Sequence, residues 1–251
     1  MGRLKPHQFK DEINQINFFW WDKKLIEGMN WAELPPASKS VFPVIVCHCN
    51  KKGIAFPSEG TISALCGRTE KIVRSGINGL DDFPNFKGNY YITSRGQRSR
   101  KFYYTIPNSR ERGRCFPFHK WIIESGLWQK LKPTAQALYP VMRNFANFDT
   151  ETCFEVDNIV IEDDNFDEYF KTREADYCDA EKNVLADYAD IALSSLSSAL
   201  DNLEENYLIE STEDNDIWKV YLKSKDMFYI ERDLLNNRNI ESTQTLSKTT
   251  D

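Results

Sequence analysis

The sequence predicts a mostly α chain with small β-hairpins, an α+β fold made of two tandem copies of one unit. Three observations carry that expectation. The segment Trp21–Val44 repeats at a shift of 97 residues as Phe118–Val141, with eight of 24 positions identical, and self-similarity at a fixed shift sets the architecture. The apolar period changes from helical to alternating after Pro84, which marks a passage from helix to strand. Charge divides along the same line. Residues 1–115 hold 19 Lys and Arg against 10 Asp and Glu, a net of +9, and residues 116–251 hold 13 against 28, a net of −15. The overall net charge of −6 conceals a basic half beside an acidic one, the pattern of a chain with two different partners.

The elements of the first copy follow in order. Pro35 and Pro36 open a helix expected over about Ser38–Asn50, since proline is tolerated in a first helical turn. Lys51, Lys52 and Gly53 close it. Ser58 is an N-cap for a second helix, Glu59–Cys66, and Gly67 suits the left-handed residue that ends it. Thr69 caps a third helix from Glu70 to about Asp82, with Ile72, Val73, Ile77 and Leu80 on one face. Tyr90 and Ile92, then Phe102, Tyr104 and Ile106, alternate as two strands. Between them lies a Gly-containing tip that carries Arg95, Arg98, Arg100 and Lys101.

The second copy repeats this order. The identities are Lys23/Lys120, Ile26/Ile123, Glu27/Glu124, Trp31/Trp128, Leu34/Leu131, Pro36/Pro133, Pro43/Pro140 and Val44/Val141. Helices are expected at Pro133–Phe148, Asn183–Ala189 and Ala192–Asn206. A hairpin is expected from Tyr207–Ser211 and Ile217–Leu222, with Glu213, Asp214 and Asp216 at its tip. The later helices align at a shift of 123, so the second copy holds an insertion of 26 residues. It lies around Phe148–Glu181, where 13 Asp and Glu face only Lys171 and Arg173, and a solvated, partly disordered segment is expected there. Asp190 stands where the first copy has Gly67. The boundaries are 1–115 for the basic domain, 116–235 for the acidic one with its insertion at about 148–181, and 236–251 for a polar, disordered tail.

Helix, helix, turn, helix and two-stranded hairpin is the order of a winged helix-turn-helix. The run Pro57-Ser58, Ile62-Ser63, Leu65, Gly67, Thr69, Val73-Arg74 resembles the helix-turn-helix of bacterial winged-helix DNA-binding proteins. It most resembles the versions in plasmid and phage replication proteins and related regulators. The motif spans about 25 residues and the whole pattern about 70. Arg68 and Gly76 depart from it, standing where a small apolar residue and Ala are usual. The resemblance implies two tandem winged helices. It also implies a sequence-specific double-stranded DNA-binding protein of a plasmid, phage or other mobile element, acting as replication initiator or copy-control protein. A transcriptional regulator is the alternative.

The residue chemistry fits that expectation. A winged helix lays its third helix in the major groove, which would bring Arg68, Thr69, Glu70, Lys71 and Arg74 to the DNA. Arg pairs bidentately with guanine and Glu accepts from cytosine, Thr69 suits phosphate contact, and Ser58 is counted with the DNA-binding residues. Arg95, Arg98, Arg100 and Lys101 repel one another at a single tip, and a polyanion removes that cost. The second copy has acidic residues at its tip, and its third helix has no Lys or Arg. Residues 116–235 are therefore expected to dimerise, to meet a basic protein surface, or to cover the first wing.

Other features have plainer readings. Cys47-His48-Cys49 lacks the separated pairs and fourth ligand of a zinc site. The six cysteines show no paired spacing and read as reduced cytoplasmic thiols. Phe18-Phe19-Trp20-Trp21 is expected to cover the core ahead of Trp31, and His119 to pack. No apolar run approaches the ~18 residues of a membrane span, and Met1–Lys10 is polar, unlike a signal peptide. No phosphate-cradling loop, nucleophile elbow or HExxH is present. The expectation is a non-enzymatic protein without cofactor or metal. A scaffold whose basic half binds an acidic protein is the rival reading.

Overall fold

The computed structural model describes residues 18–92, 94, 96, 98–105, 115–146, 175–213 and 217–222. Most of the acidic insertion, the hairpin-tip residue Arg95 and the tail lie outside them. The chain is mixed α+β with small antiparallel sheets.

The first copy runs β1 (Phe18–Asp22), α1 (Lys24–Glu27), α2 (Asn30–Glu33), α3 (Pro36–Cys47), β2 (Ile54–Ala55), α4 (Glu59–Cys66), α5 (Glu70–Asn78), β3 (Phe86–Ile92) and β4 (Arg98–Tyr104). The second runs β5 (Cys115–His119), α6 (Trp121–Glu124), α7 (Leu127–Lys130), α8 (Pro133–Phe145), β6 (Ala175–Cys178), α9 (Lys182–Ala189), α10 (Leu193–Glu205), β7 (Ile209–Ser211) and β8 (Trp218–Tyr221). The sheets have matching strand orders, β2-β4-β3 and β6-β8-β7. The shift of 97 carries β1, α1 and α2 onto β5, α6 and α7 residue for residue.

Local chemistry explains the expected elements. Ser58 Oγ accepts from the Thr61 amide at 3.0 Å and starts α4. Gly67 ends α4 at φ 68°, and a Cβ there would lie 2.5 Å from the Gln129 carbonyl oxygen. Conformation and space therefore both require glycine. Asp190 takes the same left-handed turn in the second copy at φ 52°, a conformation Asp tolerates better than most residues. Helix α5 stops at Asn78, four residues before the expected end, and Ile72 is 41% exposed rather than on the buried face. Gly76 lets α5 lie close on α3, because a Cβ would meet Val41 Cγ2 at 2.6 Å and the Ala37 oxygen at 2.7 Å.

Strands β1, β2, β5 and β6 and the one-turn helices are not among the elements the sequence predicts. Strand β6 lies in the last part of the insertion. Asp176 is buried there and accepts from Arg143 Nη1 of α8 at 2.9 Å. Buried charges persist when paired in this way.

The copies face each other across a local two-fold axis. Strands β1 and β5 pair antiparallel, centred on Trp20 opposite Pro117, which the repeat makes equivalent. Phe19 stacks on Phe118 at 5.1 Å, and Trp21 on Phe116 at 5.7 Å. Trp31 Nε1 donates to the Ala137 carbonyl and Trp128 Nε1 to the Ser40 carbonyl, both at 2.9 Å. Each of these carbonyls lies three residues before a helical proline, Pro140 or Pro43. Proline removes the ladder bond to the carbonyl four residues back, and the other copy's indole docks on the neighbouring carbonyl of the same turn. A continuous core of buried side chains extends through both copies. Trp31→Phe and Trp128→Phe should each lower the unfolding free energy by about 1–3 kcal/mol, because each leaves an indole partner unmet. Urea titrations followed by circular dichroism should show one transition in both variants.

Candidate nucleic-acid interface

The exposed face of α5 carries Glu70, Lys71, Arg74, Ser75 and Asn78, while Val73, Gly76 and Ile77 face inward. Thr69 caps the helix, with Oγ1 accepting from the Ile72 amide at 3.5 Å. Lys71 is exposed and has no ion-pair partner among the described residues. Arg74 is held between two carboxylates: Nε lies 2.7 Å from Glu59 of α4 and Nη2 lies 3.4 Å from Glu70. The hydrogen bond and charge of Glu59 raise its pKa further. The guanidinium is thus oriented but locally neutralised.

The hairpin splits its cations between two faces. Side chains alternate along a strand. Phe86, Phe102 and Tyr104 turn into the core. Tyr90 and Arg100 pair at the same parity, beyond the edge of that core. Arg100 Nε donates to the Tyr90 hydroxyl at 2.8 Å, and its guanidinium carbon sits 4.7 Å from the Tyr90 ring centroid. Arg100 Nη2 donates to Asn78 Oδ1 at 3.1 Å, which ties the hairpin to the last residue of α5. Lys101 stands at the opposite parity, with Nζ over the rings of Phe56 and Tyr103. The structure therefore does not join Lys101 to the α5 surface. Arg98 opens β4 opposite Ile92, and its side chain, like all of Arg95, lies outside the described residues.

Arg68 also departs from expectation. Its Nη2 donates to Gln136 Oε1 of α8 at 2.8 Å, its Nη1 to the Gly67 carbonyl at 3.3 Å and its Nε to Ser40 Oγ at 3.4 Å. Two of its three donors are turned toward the junction between the copies. Gln136 also donates to the Cys66 carbonyl at 3.3 Å. Lys39, its repeat equivalent, donates to the Ala189 carbonyl at 3.0 Å in the other turn. The end of α4 and the end of α9 are thus each fastened by the first long helix of the other copy. Burial lowers the Lys39 pKa, partly opposed by Asp190.

Sequence reasoning missed Tyr90 and Asn78, which orient Arg100. Register was the available signal, because Tyr90 stands directly opposite Arg100. Ser58 keeps its capping role and is exposed.

The matching surface of the second copy is different. The exposed residues of α10 include Leu193, Ser194, Ser197, Asp201, Glu204 and Glu205, with no Lys or Arg. Glu213 is exposed at its tip, and Asp214 and Asp216 lie outside the described residues. Cys47 and Cys49 have their thiol pKa pushed up to about 12, chiefly by burial, so both are neutral thiols at physiological pH. Among the described residues no group of three or more His, Cys, Asp or Glu could hold a metal ion, and no helix is long and apolar enough to cross a membrane.

The chain matches no family model, no curated protein and no solved structure.

The two cations at the start of α5 should separate in their effects. Arg68→Ala should cost about 1–3 kcal/mol of stability by leaving Gln136 and Ser40 underpaired. Lys71→Ala should stay within about 0.5 kcal/mol of the native chain. Denaturant midpoints of the two variants measure both.

Proposed function

We propose that this chain is a non-enzymatic, sequence-specific double-stranded DNA-binding protein of the cytoplasm, made of two winged helix-turn-helix units of which the first reads DNA. The observation that carries this reading is the Arg100–Asn78 bond. It joins hairpin and third helix into one surface with Lys71, Arg74 and Arg100, whereas the equivalent helix α10 exposes no cation. A helix presented beside such a hairpin suits the major groove, with the hairpin on the flanking backbone. The second unit, with its acidic helix, suits a protein partner or self-association. Its groove of about 610 Å³, bordered by Leu193, Ser197, Asp201 and Trp218, is consistent with that role. The resemblance to plasmid and phage replication proteins extends the proposal to initiation or copy control on a mobile element, with transcriptional regulation as the alternative.

Duplex binding should weaken steeply with salt. Roughly five to seven phosphate contacts give a slope of log K against log salt of about −4 to −6. Arg98→Glu combined with Arg100→Glu should abolish binding in a mobility-shift assay, and charge changes at Asp214 and Asp216 should not weaken it. Normal binding by the double variant would refute the assigned surface.

The carboxylates around Arg74 make a further prediction. Glu59→Gln should release the guanidinium from one anionic competitor, tighten duplex binding several-fold and steepen the salt slope by up to about one. Anisotropy titrations over a salt series would measure both.

A further inference from the structure

The hairpin sheet has a second surface that duplex reading leaves unused. On the side away from Phe102 and Tyr104, strand parity places Lys87 and Tyr91 of β3 beside Lys101 and Tyr103 of β4. Phe56, just past β2, joins them and is 52% exposed. Its ring meets that of Tyr91 edge to face at 5.9 Å. Lys101 Nζ lies 5.6 Å from the Phe56 centroid and 4.8 Å from that of Tyr103. No Asp or Glu stands at this parity in β2, β3 or β4.

One exposed aromatic residue is ordinary. Three rings interleaved with two cations on one face, with no carboxylate among them, have a more specific chemistry. Rings offer stacking to unpaired bases, and ammonium groups between them neutralise the connecting phosphates. A duplex cannot use such a face, because its bases are already stacked inward. The second copy is an internal contrast. Its corresponding row holds Tyr177, Lys219, Glu210 and Tyr221, a single cation beside a carboxylate, with the Tyr221 ring buried and bonded to Glu210.

We propose that the outer face of the β2-β4-β3 sheet binds single-stranded nucleic acid. Bases stack on Phe56, Tyr91 and Tyr103, and Lys87 and Lys101 hold the phosphates, without sequence preference. This site is separate from the α5 surface and does not depend on it.

The test is fluorescence anisotropy on the full chain with two labelled probes, an oligothymidylate of about 20 nucleotides and a duplex of the same length. The native chain should bind the oligothymidylate. Phe56→Ala and Tyr91→Ala should each weaken that binding by roughly tenfold and leave duplex binding within about twofold. Phe56→Trp, which keeps the stacking surface, should retain it. Lys101→Glu leaves the three rings in place, and should cost roughly tenfold on the single strand and reduce the salt slope by about one or more. Failure of the native chain to bind oligothymidylate would overturn the proposal. So would native-like binding by Lys101→Glu together with either alanine variant.

Discussion

The architecture depends on one reciprocal contact: the indole N–H of Trp31 on the Ala137 carbonyl and that of Trp128 on the Ser40 carbonyl, both at 2.9 Å. Neither indole N–H bonds the long helix of its own copy. Each long helix also contains a proline, three residues after the carbonyl that accepts the other copy's indole. Buried polar groups must find partners, so the copies are obliged to pack in this relative orientation. Trp31, Trp128, Pro43 and Pro140 are all identities of the repeat, which explains why the repeat is densest in this stretch.

That junction reaches the surface through long polar side chains. Gln136 joins the Cys66 carbonyl to the Arg68 guanidinium, directly before the cap of α5. Lys39 does the corresponding work at Ala189 and Asp190. The placement of a surface helix in one copy is therefore fixed by the interior of the other. Tyr104 adds a third tie, donating to the Trp20 carbonyl at 3.1 Å and anchoring the hairpin to the central strand pair. Within this common frame the copies diverge at outward positions. Core positions Val73, Gly76 and Ile77 become Leu196, Ala199 and Leu200 under the shift of 123, while Lys71 and Arg74 become Ser194 and Ser197. A shared fold with opposite surface charge suits different partners for the two copies, since potential and not topology selects them.

Much of this was legible in the sequence where the determinant is local. Ser58, Gly67 and Thr69 mark their helix ends by turn and cap chemistry, and the observed bounds of α4 agree to the residue. The alternation of Phe102 and Tyr104 gives the buried face of β4, and continued along the strand it would have separated Arg100 from Lys101. What was not legible depends on distant partners. The one-turn helices and β1 are too short to hold alone and exist through the pairing with β5. Strand β6 looks like acidic linker until Arg143, 33 residues away in sequence, neutralises Asp176. The bond between Arg68 and Gln136 is hidden in the sequence because the two lie 68 residues apart.

The claim that one copy reads DNA and its symmetry mate does not can be tested at equivalent positions. Lys71 and Ser194 correspond under the shift of 123 and are both exposed at the start of their helices. A photo-crosslinking residue placed at each in turn, irradiated with bound duplex, reports contact directly. The account predicts a DNA adduct from position 71 and none from position 194. Equal adducts from both, or an adduct from 194 alone, would contradict it.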